Sequence, residues 1–410
     1  MVRTKKIGWH LAVVFATLAL IAAACGDTAE TTTTTAAPGT TTTTAAPATT
    51  TTTAATGTTT TTTAPPESTT TTMAGEPVLT GDERCAANEE AGTITFLTGF
   101  GFFPSVSVAE VIAAEALGYF DEMCLDVDIE PSLPGEALVL VNANVVQFAA
   151  TSYGPFAQAV QQGAERVIVV LNKGHFPIWT LVTLEEFGID SLEDFAGTTI
   201  GSSSGVAGAP IRAMLAGVGL ESGEDYDEAA IGFDPRVIGG GDIQGIAGFR
   251  SNQPETLRRE GFNVIEFWPE EHGGVGSFGA TMASTAFLEE HPTAAEDWIR
   301  ATLRAWEWAT QPENHAQVVQ FSADLTTGDL NTEHELFRWG TESGTALAST
   351  PEGWCMGATI SDIPAREIAY MTEVGLLEGV PDVLAMFTND FVERVYDDEC
   401  NVIWPGPMGE

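Results

Sequence analysis

Two α/β lobes, each a mostly parallel sheet flanked by helices, are predicted for the body of this 410-residue chain. Three observations predict them. The body, roughly 325 residues from Cys85 onward, exceeds the size at which one hydrophobic core stops growing, so it divides. Strand-like and helix-like segments alternate along it, the pattern of parallel sheets joined by right-handed crossovers. The chain also echoes itself. Gln147-Phe148-Ala149-Ala150, a polar loop, Pro155 opening a helix-like segment to Gly163, and the strand-like Val167–Leu171 form one copy. Gln244–Gly248, the loop Phe249–Gln253, Pro254 opening a helix to Gly261, and the strand-like Val264–Phe267 form the second. Proline's fixed φ suits a first helical turn and glycine suits a helix terminus.

The N-terminus reads differently. Arg3, Lys5 and Lys6 precede an apolar run from Leu11 to Ile21, then Ala22-Ala23-Ala24 and a lone Cys25. This is the build of a secretory signal with the cysteine where a lipoprotein signal peptidase cuts, and its apolar run is too short to span a bilayer comfortably. Residues 1–24 are therefore expected to be a lipoprotein signal peptide. Cys25 is expected to carry lipid and to anchor the protein at the outer face of the cytoplasmic membrane. Residues 25–84 are almost wholly Thr, Ala, Pro and Gly up to about Thr80. Such a stretch holds too little apolar mass to offset its ordering entropy, so it is expected to be a disordered linker averaging ~40 Å end to end.

Within the body, Thr93–Thr98, the loop Gly99–Ser107 and the helix Val108–Leu117 make the first unit. Thr198–Ile200, the loop Gly201–Gly208 and the helix Pro210–Ala216 make its counterpart. Four cysteines follow Cys25, and an even number in an exported chain suggests two disulfides. Of three possible pairings, Cys85–Cys124 and Cys355–Cys400 are favoured. Cys85 and Cys124 each precede a strand, and parallel neighbours would bring them to one sheet edge. Toward the C-terminus, Ala294–Trp308 reads as a helix covering the first lobe, whereas Trp339, Trp354 and Trp404 fit core and surface equally well.

Composition narrows function. A formal charge of −41 excludes nucleic acid as a partner. The histidines are scattered with no i,i+4 pair on a helix and no CxxC exists, so no metal site is expected. Gly201-Ser202-Ser203-Ser204-Gly205 matches the G-x-S-x-G elbow of serine hydrolases, with Ser203 as nucleophile and His272, His291, His315 or His334 as base. The oxyanion loop that usually accompanies it is missing, and a serine-rich turn suits a ligand cradle equally well. The chain is therefore expected not to be an enzyme and to need no cofactor.

Several segments resemble a known family. Ala109–Phe120 with Leu125-Asp126-Val127 resembles the opening of the NMT1/THI5-like extracytoplasmic solute-binding proteins, grouped with the nitrate/sulfonate/taurine type. Ser191–Gly197 running into Thr198–Ile200 resembles the opening of that family's second lobe, and Gly248–Pro254 with Leu257 and Gly261 resembles its "NqP" signature. One departure is that Gln147 and Gln244 stand where family members commonly carry an Asp. A hydrogen-bonding role at the strand start survives that change, and a charged role does not.

The resemblance implies a two-lobed clamshell of the periplasmic-binding-protein type (type II). Residues 85–182 and 280–410 would form the first lobe and 183–279 the second, with hinges near Trp179–Thr183 and Ser277–Ala283. It implies a monomeric solute-binding protein that closes on a small ligand and delivers it to an ABC permease.

Ligands of such sheets sit beyond the carboxyl ends of strands. The loops there are rich in aromatic residues, which suit a planar heterocycle. The expected ligand-binding residues are Phe102, Phe103, Tyr153, His175, Ser203, Ser204, Phe249, Arg250, Asn252 and His272. The expected ligand is a thiamine-precursor pyrimidine or a flavin, with nitrate, sulfonate or taurine as the alternative. Only Lys173, Arg212 and Arg250 place cations near these loops.

Overall fold

The computed structural model describes Leu79 and residues 81–133, 135–328, 330–379 and 381–405. The expected signal peptide, Cys25 and nearly all of the expected linker lie outside these residues. Helix α1 (Gly81–Glu90) starts inside the last residues assigned to the linker. Its first turn carries Asp82 and Glu83, favourable at a helix N-terminus, and Arg84 grips Asp297 through Nε and Nη2, both at 2.6 Å.

The first sheet comprises β1 (Thr93–Leu97), β2 (Asp126–Glu130), β3 (Phe148–Thr151), β4 (Val167–Gly174) and a strand from much later in the chain. Helices α2 (Ala109–Ala116), α3 (Tyr119–Glu122), α4 (Glu136–Asn142) and α5 (Tyr153–Gln161) lie between its first four strands. The second sheet comprises β5 (Trp179–Leu184), β6 (Thr199–Ser202), β7 (Asp227–Ala230), β8 (Gly245–Phe249) and β9 (Val264–Phe267). Helix α6 (Ala209–Ala216) follows β6, and α7 (Gln253–Arg259) follows β8. The late strand, β10 (Phe278–Ser284), returns to the first sheet. Helices α8 (Thr285–Glu290), α9 (Pro292–Ala309), α10 (His315–Leu325), α11 (Thr332–Ser349), α12 (Asp362–Glu373) and α13 (Asp390–Val395) complete the fold.

Both sheets have one plan. The orders are β2-β1-β3-β10-β4 and β7-β6-β8-β5-β9, with β10 and β5 the antiparallel strand of each. Each antiparallel strand is reached by crossing from the other sheet, through 175–178 and through 268–277. The expected lobe boundaries, 182/183 and 279/280, thus fall inside β5 and β10. The sheets are mostly parallel and the architecture is two-lobed α/β.

The sequence echo appears as matched hydrogen bonds. Gln147 accepts the β1 amide of Thr95 at 2.9 Å, and Gln244 accepts the β6 amide of Thr199 at 3.0 Å. The glutamines also donate their own backbone N–H to the Thr95 and Thr199 carbonyls. An uncharged amide suffices for this, so neither position needs a charged side chain to hold its strand.

The first lobe's core centres on Trp298 of α9. Its ring stacks on Phe148 with centroids 4.0 Å apart and also meets Phe96 and Phe120. Cys85 is bonded to Cys124 and Cys355 to Cys400. Among the other tryptophans, Trp339 is buried and donates to the Ala309 carbonyl, Trp354 is exposed, and Trp404 packs on Arg304. In the second lobe a smaller cluster gathers Leu181, Phe195, Ile200, Ile211, Met214 and Phe267.

Candidate ligand site between the sheets

After β1 the chain enters the aromatic loop. Phe100 is exposed, Phe102 and Phe103 are half-buried, and the Phe100 and Phe103 rings stack at 6.4 Å. The Arg338 guanidinium of α11 lies 5.2 Å over Phe103 and is itself paired with Glu335 at 2.8 Å. The end of the loop is held from beneath. The Ser107 amide, at a positive φ of 78°, donates to both oxygens of Glu110, and Glu110 meets Lys173 at 2.8 Å with both side chains wholly buried. The aromatic loop is therefore fixed by a buried ion pair rather than left free.

From the second sheet, Phe249 ends β8 and packs against Trp179, which begins β5, with centroids 4.6 Å apart. Its amide donates to the Gln253 side chain at 2.7 Å. Trp179, Phe249 and Gln253 line a hollow with Ser203, Ile231 and the strongly exposed Phe233. The hollow has a volume of about 10 Å³, room for about one water.

Of the expected ligand residues, the structure brings Ser203 and Phe249 to this hollow, and Ser204 is exposed beside it. Tyr153 is buried at the start of α5, its hydroxyl 3.0 Å from Thr359, and burial pushes its pKa up. His175 is buried in the first connection and donates its Nε2–H to the Ala358 carbonyl at 3.1 Å. Burial lowers its pKa, so the ring is neutral. Asn252 joins His334 of α11 at 2.9 Å, whereas His272 is exposed in the second connection. Arg250 is buried in a bidentate pair with Glu270 and also donates to the Pro177 carbonyl at 2.9 Å.

The other cations near the loops are similarly occupied, Lys173 by Glu110 and Arg212 by Glu228. The remaining histidines among the described residues are engaged with aromatic rings. The His315 ring lies against Trp339 and the His291 ring against Phe287. No group of three potential metal ligands occurs among the described residues. The sequence reading missed Phe233 and the α11 residues Arg338 and Glu342. Gln253 had a signal in the Asn252-Gln253-Pro254 stretch. Phe233 lies in a connection without a motif, and Arg338 and Glu342 had no signal because only folding brings α11 to these loops.

Three solved structures illustrate the fold's likeness. The periplasmic nitrate-binding protein of Synechocystis PCC 6803 superposes with a TM-score of 0.55 at 12% identity, over 74% of this chain and 87% of that one. The periplasmic aliphatic sulphonate-binding protein of Escherichia coli gives 0.53 at 14% identity, over 72% and 90%. The desulfurization enzyme DSZB gives 0.53 at 13% identity, over 74% and 98%. At these identities the likeness establishes the fold, which serves binding proteins and an enzyme alike. No curated protein sequence matches the chain. The family model described as NMT1/THI5 like matches residues 105–315, half of the chain, and the chain therefore belongs to the NMT1/THI5-like family.

Proposed function

We propose that this protein is the extracytoplasmic solute-binding component of an ABC importer. On this reading it is anchored through lipidated Cys25, acts as a monomer and delivers a small ligand to a membrane permease. The ligand is a planar heterocycle of the thiamine-precursor pyrimidine or flavin type, held between the lobes. Family membership and the shared fold of periplasmic binding proteins support the transport role. The connections 175–178 and 268–277 serve as hinges, being where the chain passes between the sheets.

The observation that carries the ligand class is the aromatic hollow formed by Trp179, Phe233 and Phe249 in the second lobe, with a further pair of rings, Phe100 and Phe103, on the loop after β1 of the first. Each ring stacked on a flat ligand adds ~0.5–1.5 kcal/mol beyond area burial. The alternative, an anion of the nitrate, sulfonate or taurine kind, is what two of the structural neighbours are named for. It is disfavoured because Lys173, Arg212 and Arg250 already hold carboxylate partners, and freeing one would leave a buried charge unpaired. A serine hydrolase using Ser203 is disfavoured because no histidine among the described residues forms a hydrogen bond with it.

The test is a thermal-shift series on the full chain with aminopyrimidines, thiamine, riboflavin, nitrate, taurine and alkylsulfonates. A ligand at a hundred times its dissociation constant adds about 2.7 kcal/mol to stability. The expected result is a shift with a pyrimidine or flavin that Phe249→Ala removes. A shift confined to nitrate or sulfonates would overturn the ligand class.

A further inference from the structure

Two buried carboxyl groups hold parts of the molecule that move if a ligand is to enter, one across the lobes and one on a connection between the sheets. Glu342 of α11 accepts the Val106 amide at 3.0 Å, from the loop after β1, and the Ser251 hydroxyl at 2.7 Å, from the loop after β8. One carboxylate thus bridges the aromatic loop of the first lobe and the start of α7 in the second. Beside it, His334 meets Asn252 at 2.9 Å and Glu333 meets Arg259 at 2.8 Å. Glu367 of α12 accepts the Ser277 hydroxyl at 3.0 Å, on the connection between the sheets, and also takes the backbone amides of Ser277 and Gly154.

Resting on the solute-binding reading above, we propose that Glu342, bridging the lobes, and Glu367, holding the connection 268–277 against the first lobe, are clasps that couple closure of the site to proton uptake. A carboxyl group that is buried while the lobes are shut and wet when they part holds its proton more tightly in the shut form. Burial raises both groups, Glu367 to about 7, against the opposing hydrogen bonds from Ser277 and Gly154. Each bridge survives protonation, because a carboxylic acid still accepts an N–H and can donate its own proton to a serine oxygen.

One neighbour titrates in the opposite sense: His334, on the same helix and bonded to Asn252, has its pKa lowered by burial, so its charging as pH falls favours the open form. On its own helix Glu342 faces Arg338 and Glu335, which pair with each other. Helix α10 presents His315 to Trp339 and Gly340, α7 presents Arg259 to Glu333, and Lys173 of β4 is held by Glu110. Around Glu367, α5 presents Tyr153 and α6 presents Arg212, already paired with Glu228. The sign follows from the raised value. The shut form gains over the open one as pH falls, and the gain is lost as pH rises through about 7. From pH 8 to pH 6, Glu367 alone shifts the shut-to-open ratio about tenfold.

Hydrogen exchange on the full chain without ligand tests this, with rates normalised to the intrinsic rate at each pH. Peptides containing Val106, Gly154, Ser251 and Ser277 report the clasps, and α9 amides around Ile299 serve as the global reference. The expected result is about tenfold greater protection of the clasp peptides at pH 6 than at pH 8, with the reference unchanged. Glu342→Gln combined with Glu367→Gln should show no gain in protection at pH 6, since an amide keeps one acceptor and one donor and only the opposing His334 is left to titrate. Wild-type protection that ignores pH would overturn the proposal, as would a double variant that retains the dependence. Because no ligand is used, failure here is separate from failure of the heterocycle screen.

Discussion

The two lobes share one strand order and one pair of glutamine bonds, yet they are consolidated differently. The first packs α9 and the other late helices over its sheet, seals Trp298 among Phe96, Phe120 and Phe148, and contains both disulfides. The second holds short strands over a smaller cluster without tryptophan at its centre, and leaves Phe233 exposed beside the hollow. The same βαβ plan can thus be a rigid base or an adaptable wall, depending on what is laid over it. A binding cleft uses both, one side to hold register and the other to close.

The largest expected effect that can break this comparison is Trp298→Ala. Emptying the first lobe's centre should cost about 3–5 kcal/mol, read as faster exchange in β1, β3 and α9. If β6 and β8 lost protection equally, the lobes would be one cooperative unit and the contrast would fail.

Acid provides a second probe. Burial alone would raise Glu296, but hydrogen bonds from Arg394 and Arg84 and the charge of Arg300 outweigh it and hold the group at about 2. Its contribution is present above the ordinary carboxyl range and is lost as pH falls through about 2. A shift of this size is worth about 3 kcal/mol. Acid titration followed by exchange should loosen α1 and the edge of the first lobe before the second, and Glu296→Gln should flatten that early step.

The smallest effect sharpens the likeness instead. Gln147→Ala and Gln244→Ala each remove one side-chain acceptor from a strand amide, so each should cost about 1 kcal/mol. Chemical denaturation should give nearly equal losses. A marked inequality would mean that the echo is one of sequence only.

The glutamine pair also shows how much could be read in advance. The repeated Gln-strand-loop-Pro-helix-Gly pattern is local, and it identified β3, α5 and β4 together with β8, α7 and β9 to within a few residues. The switch of β5 and β10 between sheets was less legible, since an antiparallel insertion leaves no period in its own residues. The site was legible in part. Phe249 and Ser203, expected from their place at strand ends, line the hollow, while Tyr153 and His175, just past the ends of β3 and β4, turn inward to Thr359 and the Ala358 carbonyl. Their partners lie far along the chain, where no spacing rule reaches.

The sequence by itself determined the two-lobed α/β plan, the aromatic character of the strand-end loops and the scarcity of cations. Each of these depends on hydrophobic period, turn chemistry and composition, which act over a few residues. Only the tertiary structure decided that Arg250 and Lys173 are neutralised, that Trp339 is buried while Trp354 is exposed, and that Glu342 joins Val106 to Ser251. Those outcomes depend on which distant groups share a dry interior, where an unpaired charge or hydrogen-bonding group costs most.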